Sequence, residues 1–314
     1  MGIDGLRSEA DREERTSIAR VLARETTGCV RDMAVAGRHA TGLSRLSVPY
    51  WMFRRFLGAA GRPLDGDELV PMEFATPRRT ARVLVRKNQS DLLILWQMFV
   101  RRFYELSATY ALDKEIETLD TIVDLGGNTG LAASYLTARY RPRTLLTVEP
   151  VPENAAVLRR NAALSPLDWI VEETAAAGAA GTLEFTISGY WAACTGVPEV
   201  TAFRRARPYR LENRLARPGI RVPAVSVDDL LERNGIAHVD LLKVDIEGAE
   251  ADIFGRPQPW MDRVERVVLE VHDRYIDGHT VRATLRTAGF TAVPPRNPAL
   301  FRLNPVELYI RDRH

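Results

Sequence analysis

Apolar and polar positions change rhythm near residue 120. Before it, the pattern is helical and sparse: Leu6, Ile18, Val21 and Leu22 are isolated apolar points in a charged background, and Asp11-Arg12-Glu13-Glu14-Arg15 reads as a solvated face. Tyr50-Trp51-Met52-Phe53-Arg54-Arg55-Phe56 is denser. Ordinary helix packing accounts for it, with a cap over a pocket as the alternative. Gly58 to Asp67, with Gly61-Arg62-Pro63, reads as a loop, and Arg82-Val83-Leu84-Val85-Arg86 as a short strand. Ser90-Asp91 offers an N-cap for a helix over Leu92 to Leu106.

Beyond Asp120, short apolar runs alternate with helical patterns. Strands are expected at Ile122–Leu125, Thr144–Val148, Trp169–Glu172, Leu241–Val244, Val264–Val271, Phe290–Val293 and Val306–Ile310. Helices are expected at Leu131–Tyr140, Glu153–Ala162, Val227–Arg233, Ala249–Phe254 and Thr280–Ala288. Such alternation predicts an α/β fold with a doubly wound, mostly parallel seven-stranded sheet, closed by an antiparallel pair. The division it suggests is residues 1–115 as a mainly helical N-terminal extension and 116–314 as a nucleotide-type binding domain.

At 314 residues, 46% apolar and 27% charged, the chain can bury a full core. A formal charge of +2 gives no reason to expect nucleic acid. Cys29 and Cys194 form no metal-binding or disulfide pattern, so no zinc site is expected. The polar start Met1 to Arg7 lacks the apolar stretch of a signal peptide, and the longest apolar run, Leu92 to Trp96, is too short to span a bilayer. The expectation is a cytoplasmic protein without membrane contact, with a second copy of itself as a possible partner.

The richest segment is Ile122-Val123-Asp124-Leu125-Gly126-Gly127-Asn128-Thr129-Gly130, an apolar strand that ends in an acid and a glycine turn before a helix. Such a loop brings bare backbone close to a ligand at the carboxyl end of a strand. Nineteen residues after Gly130, Glu149 ends a second apolar run, where an acid commonly holds ribose hydroxyls. A nicotinamide oxidoreductase would want G-x-G-x-x-G, but Asn128 occupies the second glycine position. Asp124 would also repel a diphosphate. Both suit S-adenosylmethionine, which has a cationic amino-acid end and no phosphate. The rival readings are the oxidoreductase and a non-catalytic scaffold that keeps the fold.

Further segments join this one: Glu149-Pro150-Val151-Pro152-Glu153-Asn154, Val225 to Leu231, Asp240-Leu241-Leu242-Lys243-Val244-Asp245-Ile246-Glu247-Gly248-Ala249-Glu250, and Val268-Leu269-Glu270-Val271-His272. Together they resemble the FkbM family of S-adenosylmethionine-dependent methyltransferases, from about Arg82 to His272. The resemblance implies a class I methyltransferase, Rossmann-like fold and methyl transfer to a hydroxyl oxygen of a natural product or a sugar. The family usually has Ala at Gly127, and the smaller residue is expected to loosen the loop while keeping its shape.

The candidate cofactor set is Asp124, Gly126, Gly127, Asn128, Gly130, Glu149, Pro150, Thr174, Ala175 and Asp245. An aliphatic hydroxyl needs a base. Asp245, Glu247 and His272 follow strand ends at the carboxyl edge and are the candidates. Asp245 and Glu247 could equally cap the next helix, and His272 could be a satisfied strand-end histidine. Two carboxylates without a further ligand cluster do not amount to a metal site. Lys243 is expected to point away or to pair with an acid. Tyr190-Trp191 and Arg204-Arg205-Ala206-Arg207-Pro208-Tyr209-Arg210 form a solvated loop or a lid for an anionic or sugar-bearing acceptor.

Overall fold

Seven strands form one sheet in the order Phe290–Val293, Val306–Arg311, Arg266–Glu270, Leu241–Val244, Thr121–Leu125, Thr144–Val148 and Ile170–Glu172, with only Val306–Arg311 antiparallel. The computed structural model describes residues 28–60, 64–188, 194–205, 217–298 and 306–312. In chain order the elements are α1 (28–39), α2 (Ser44–Ala60), β1 (Asp65–Ala75), β2 (Thr80–Asn88), α3 (Gln89–Leu95) and the short α4 (Leu106–Thr109). Next come β3 (Thr121–Leu125), α5 (Leu131–Tyr140), β4 (Thr144–Val148), α6 (Pro152–Ala162), β5 (Ile170–Glu172), β6 (Ala175–Ala177) and β7 (Gly181–Ile187). The remainder is α7 (Pro198–Arg205), β8 (Arg217–Ser226), α8 (Val227–Arg233), β9 (Leu241–Val244), α9 (Glu250–Ile253), β10 (Arg266–Glu270), α10 (Gly278–Thr287), β11 (Phe290–Val293) and β12 (Val306–Arg311).

Both faces of the sheet are buried, which is why its strands are nearly continuous apolar runs. Ile122, Leu145, Leu241 and Val268 face one cluster, and Val123, Leu146, Leu242 and Val267 face the other, as the period-2 alternation of strands requires. The first cluster also contains Ala36, Val48, Met72, Phe74, Val83, Leu92 and Phe99. The N-terminal hairpin and helices therefore cover one face of the sheet. The order of strands reverses at β3, which lies between β4 and β9. Ligands of such sheets bind outside the carboxyl ends at that point.

The expected doubly wound sheet is present with all seven predicted strands, each within about two residues of its expected ends. Several local expectations are corrected. The helix expected to run to Leu106 is α3, which passes into a π turn at Trp96–Val100 and stops. Arg102 takes φ 55 there, which the helix cannot continue through. Its cap is Asn88, whose side chain accepts from the Asp91 amide at 2.8 Å; Asp91 instead binds Arg86. The expected loop Gly58–Asp67 is shortened at both ends by α2 and β1. Residues 1–27, and the 61–63 part of that loop, lie outside the described residues.

A three-stranded sheet, β6-β8-β7, was not expected. Ala175-Ala176-Ala177 has low strand propensity, and β8 carries Pro218, Gly219 and Pro223, so neither shows the usual signature. No described helix is long and apolar enough to cross a membrane.

The Arg86–Asp91 pair is 3% and 0% exposed, with bonds of 3.0 and 2.9 Å. Breaking a buried pair strands the other charge. Asp91→Ala is expected to cost about 3–5 kcal/mol, read as a lower urea midpoint with an unchanged slope.

Candidate functional site at the carboxyl edge

Strand register aligns the site. Leu125 pairs with Val148 and with Val244, and Val244 pairs with Leu269. The next residue of each strand region therefore falls in one row: Gly126, Glu149, Asp245 and Glu270. All four line a cleft of about 240 Å³.

The glycine loop is fixed by close approach. Gly126 and Gly127 amides both donate to the Val148 carbonyl, at 3.0 and 2.8 Å. Gly126 has φ +86, and a Cβ there would lie 1.8 Å from the Asp245 carbonyl oxygen. Asn128, at φ 49, takes the left-handed turn and accepts from the Thr129 amide at 2.7 Å. Gly127 does not loosen the loop, contrary to expectation. Thr147 and Leu158 fill the space an Ala methyl would need, with a Cβ falling 2.1 Å from Thr147 Oγ1. Gly130 starts α5 and does not line the cleft.

Glu149 is 5% exposed and accepts three hydrogen bonds: from the Asn128 amide at 2.9 Å, the Val151 amide at 3.0 Å and Asn154 Nδ2 at 3.2 Å. Burial pushes its carboxyl up to about 7 against the pull of those donors. Asn154 in turn accepts from Arg86 Nη2 at 2.8 Å. The N-terminal hairpin thus reaches the acid through two side chains. Pro150 and Ala175 line the cleft; Thr174 does not, and donates to the Pro223 carbonyl at 2.8 Å.

Asp124 is wholly buried and does not line the cleft. Its carboxylate pairs with Lys243 Nζ at 2.9 Å, so Lys243 stands between it and the cavity. The same ammonium donates to the Gly126 carbonyl at 2.7 Å and lies 4.0 Å from Asp245. Burial works against the charge on Lys243, but Asp124 and Asp245 outweigh it and hold the amine protonated.

The second half of the row is acidic. Asp245 and Glu247 line the cleft, whereas His272 stands behind them. His272 Nδ1 meets Glu250 Oε1 at 2.9 Å, and Nε2 lies 3.6 Å from Glu247. Burial opposes its charge, but Glu247, Glu250 and Asp245 raise its pKa well above the ordinary histidine value. An imidazolium is a proton donor, not a base. Glu250 is fully buried and also accepts the Gly248 amide at 3.1 Å. Glu247 takes φ 54 in this turn. The ligand atoms of Asp245, Glu247 and His272 lie within 4.8 Å of one another, an oxygen-and-nitrogen set that could take a divalent cation if the imidazole were neutral.

Sequence reasoning passed over Glu270. Burial first, then Asp245, push its carboxyl up to about 8. The signal was available: it closes β10, and the strand-end rule that selected Asp245 selects it too. Also unforeseen are Ile94, Gln97, Met98, Phe103 and Tyr104, through which the N-terminal part lines the cleft. Tyr50 to Phe56 of α2 do not line it. Of the expected lid, Tyr190-Trp191 and residues 206–210 lie outside the described residues, while Arg204 and Arg205 end α7.

The methyltransferase FkbM domain matches residues 124–292. The 31-O-demethyl-FK506 methyltransferase FkbM of Streptomyces tacrolimicus is 29% identical over 203 residues, covering 59% of this chain and 77% of that protein. Methyltransferase 1 of Beauveria bassiana is 27% identical over 183 residues, covering 56% and 74%. Among solved structures, Methyltransferase FkbM from Methylobacillus flagellatus KT is similar at 14% identity and a TM-score of 0.43, covering 70% of this chain and about half, 53%, of that one.

Two outcomes follow from the geometry. Gly126→Ala, whose methyl would meet backbone, should unfold at a clearly lower temperature than wild type in calorimetry, because the Asp245 carbonyl cannot yield as a side chain would. Glu149 gives a pH dependence. Its folded pKa lies above the unfolded value, so its contribution is complete below about pH 4.5 and lost as pH rises through about 7. Urea unfolding from pH 5 to 8 should show wild type losing up to roughly 3 kcal/mol that Glu149→Gln does not lose.

Proposed function

The chain belongs to the FkbM methyltransferase family, and we propose that it transfers a methyl group from S-adenosylmethionine to a hydroxyl oxygen of a small molecule, a natural product or a sugar. The observation that carries this reading is the in-register row of Gly126, Glu149, Asp245 and Glu270 around one cleft. The residues present suit a nucleoside without phosphate. A buried carboxylate stands where ribose hydroxyls would be held, and backbone at Gly126 leaves no room even for a methyl. Among the described lining residues the one Lys or Arg is Lys243, which is engaged with Asp124 and the Gly126 carbonyl. A diphosphate would meet little positive charge there.

When bound, the cofactor supplies the methyl group and the leaving sulfur. The chain supplies the rest. Glu149 accepts from the ribose, oriented by Asn154 and the Asn128 amide. Gly126, Gly127 and Asn128 shape the backbone against the cofactor, with Gly130 setting the helix behind them. Pro150 and Ala175 border the adenosine side. Asp124 acts through Lys243, and Asp245 faces the cationic amino-acid end. Asp245, with Glu247 beside it, takes the proton of the acceptor hydroxyl. His272 positions Glu247 and Glu250 as their counter-ion. Apolar lining from the N-terminal part excludes water from the transfer.

Calorimetry with S-adenosylhomocysteine tests this. Wild type should bind it, and Glu149→Ala should bind at least tenfold more weakly. No heat from folded wild type, or equal affinity in the variant, would sink the reading. NAD should give no binding in the same cell.

A further inference from the structure

We infer that the acceptor is an uncharged molecule with an apolar body, carrying no phosphate or carboxylate near its reacting hydroxyl. This rests on the cleft being the methyl-transfer site, and it decides between the two acceptor classes left open above.

Two observations carry it independently. The first is the wall. Besides the polar row, the cleft is lined by Ile94, Met98 and Phe103 from the N-terminal part and by Leu183 and Phe185 from β7. These side chains offer no hydrogen-bond partner. A sugar placed there would bury hydroxyls without satisfying them, whereas a hydrocarbon ring or chain would gain by leaving water. The π turn at Trp96–Val100 contributes Gln97 and Met98 to the same wall. Gln97 is a neutral polar group, suited to orient one hydroxyl or carbonyl of a mostly apolar ligand.

The second observation is the charge of the floor. Asp245 and Glu247 line the cleft. The one lining ammonium among the described residues, on Lys243, is 2.9 Å from Asp124 and 2.7 Å from the Gly126 carbonyl. An anion on the acceptor would be drawn out of water towards carboxylates, and like charges in a site of low dielectric repel strongly. Of the two readings of the aromatic and basic run, a solvated loop or a lid, the lid would select an anionic or sugar-bearing acceptor. The described walls and floor favour neither.

The test uses full-length protein saturated with S-adenosylhomocysteine and the neutral apolar dye Nile red, with competition by geraniol, geranyl phosphate and glucose. Nile red should bind, and geraniol should displace it at concentrations at least tenfold lower than geranyl phosphate or glucose. Leu183→Asn should weaken dye binding at least fivefold and leave the S-adenosylhomocysteine affinity within a factor of two. Absence of dye binding, equal or better competition by the phosphate or by glucose, or an unaffected Leu183→Asn would each overturn the inference. S-adenosylhomocysteine binding is measured in parallel. Its loss in wild type strikes the methyltransferase reading, whereas its presence beside failed dye binding strikes only the acceptor class.

Discussion

Lys243 ties the site together. Its ammonium, carried by β9 and almost fully buried, reaches across to β3, pairs with Asp124 and donates to the Gly126 carbonyl. The glycine loop and the end of β9 are thereby clamped to one another, and the Gly126 Cα lies against the Asp245 carbonyl with no room for a methyl group. A buried cation of this kind is stable only while its acids surround it, and removing one partner leaves a charge that cannot reach water. The loop geometry, the level of Asp245 and the burial of Asp124 are consequences of one constraint. The acid that the sequence marked as a direct cofactor contact is instead the anchor of the residue that faces the cavity.

Around this clamp the charge does not balance locally. Asp245, Glu247, Glu250 and Glu270 gather beside His272, and the surplus shows in the Glu270 carboxyl, pushed up to about 8 by burial and its neighbours. Such a floor welcomes positive charge and rejects negative charge. A sulfonium cofactor with an ammonium group fits it, and so does an uncharged acceptor resting on an apolar wall. Glu149, at the other end of the row, is tuned differently. Three donors hold it, and one of them, Asn154, is in turn held by the Arg86–Asp91 pair of the N-terminal part. The extension therefore does more than cover the sheet: it holds Glu149 in place through Asn154 and lines part of the cleft.

Much of this was legible in the chain because strands buried on both faces announce themselves as apolar runs. Ile122–Leu125, Thr144–Val148 and Leu241–Val244 could be bounded almost to the residue, and their ends located the acids. What escaped were elements whose residues lack that signature. β8 contains prolines and a glycine, β6 is three alanines, and β1 alternates weakly with mostly partial exposure. The end of α3 escaped because a π turn leaves no mark in propensity. Within the site, residue identities were readable but their partners were not. Nothing local says that His272 would meet two glutamates, that Asp124 would be the acid with which Lys243 pairs, or that Gly127 faces Thr147. Those are contacts between distant segments.

The most direct check of the central claim is a crystal structure of the protein grown with S-adenosylhomocysteine. The account predicts the ribose hydroxyls on Glu149, the adenosine beside Pro150 and Ala175, and the sulfur facing the side of the cleft where Asp245, Glu247 and Glu270 stand. A ligand bound elsewhere, or bound in this cleft with its ribose away from Glu149, would contradict it.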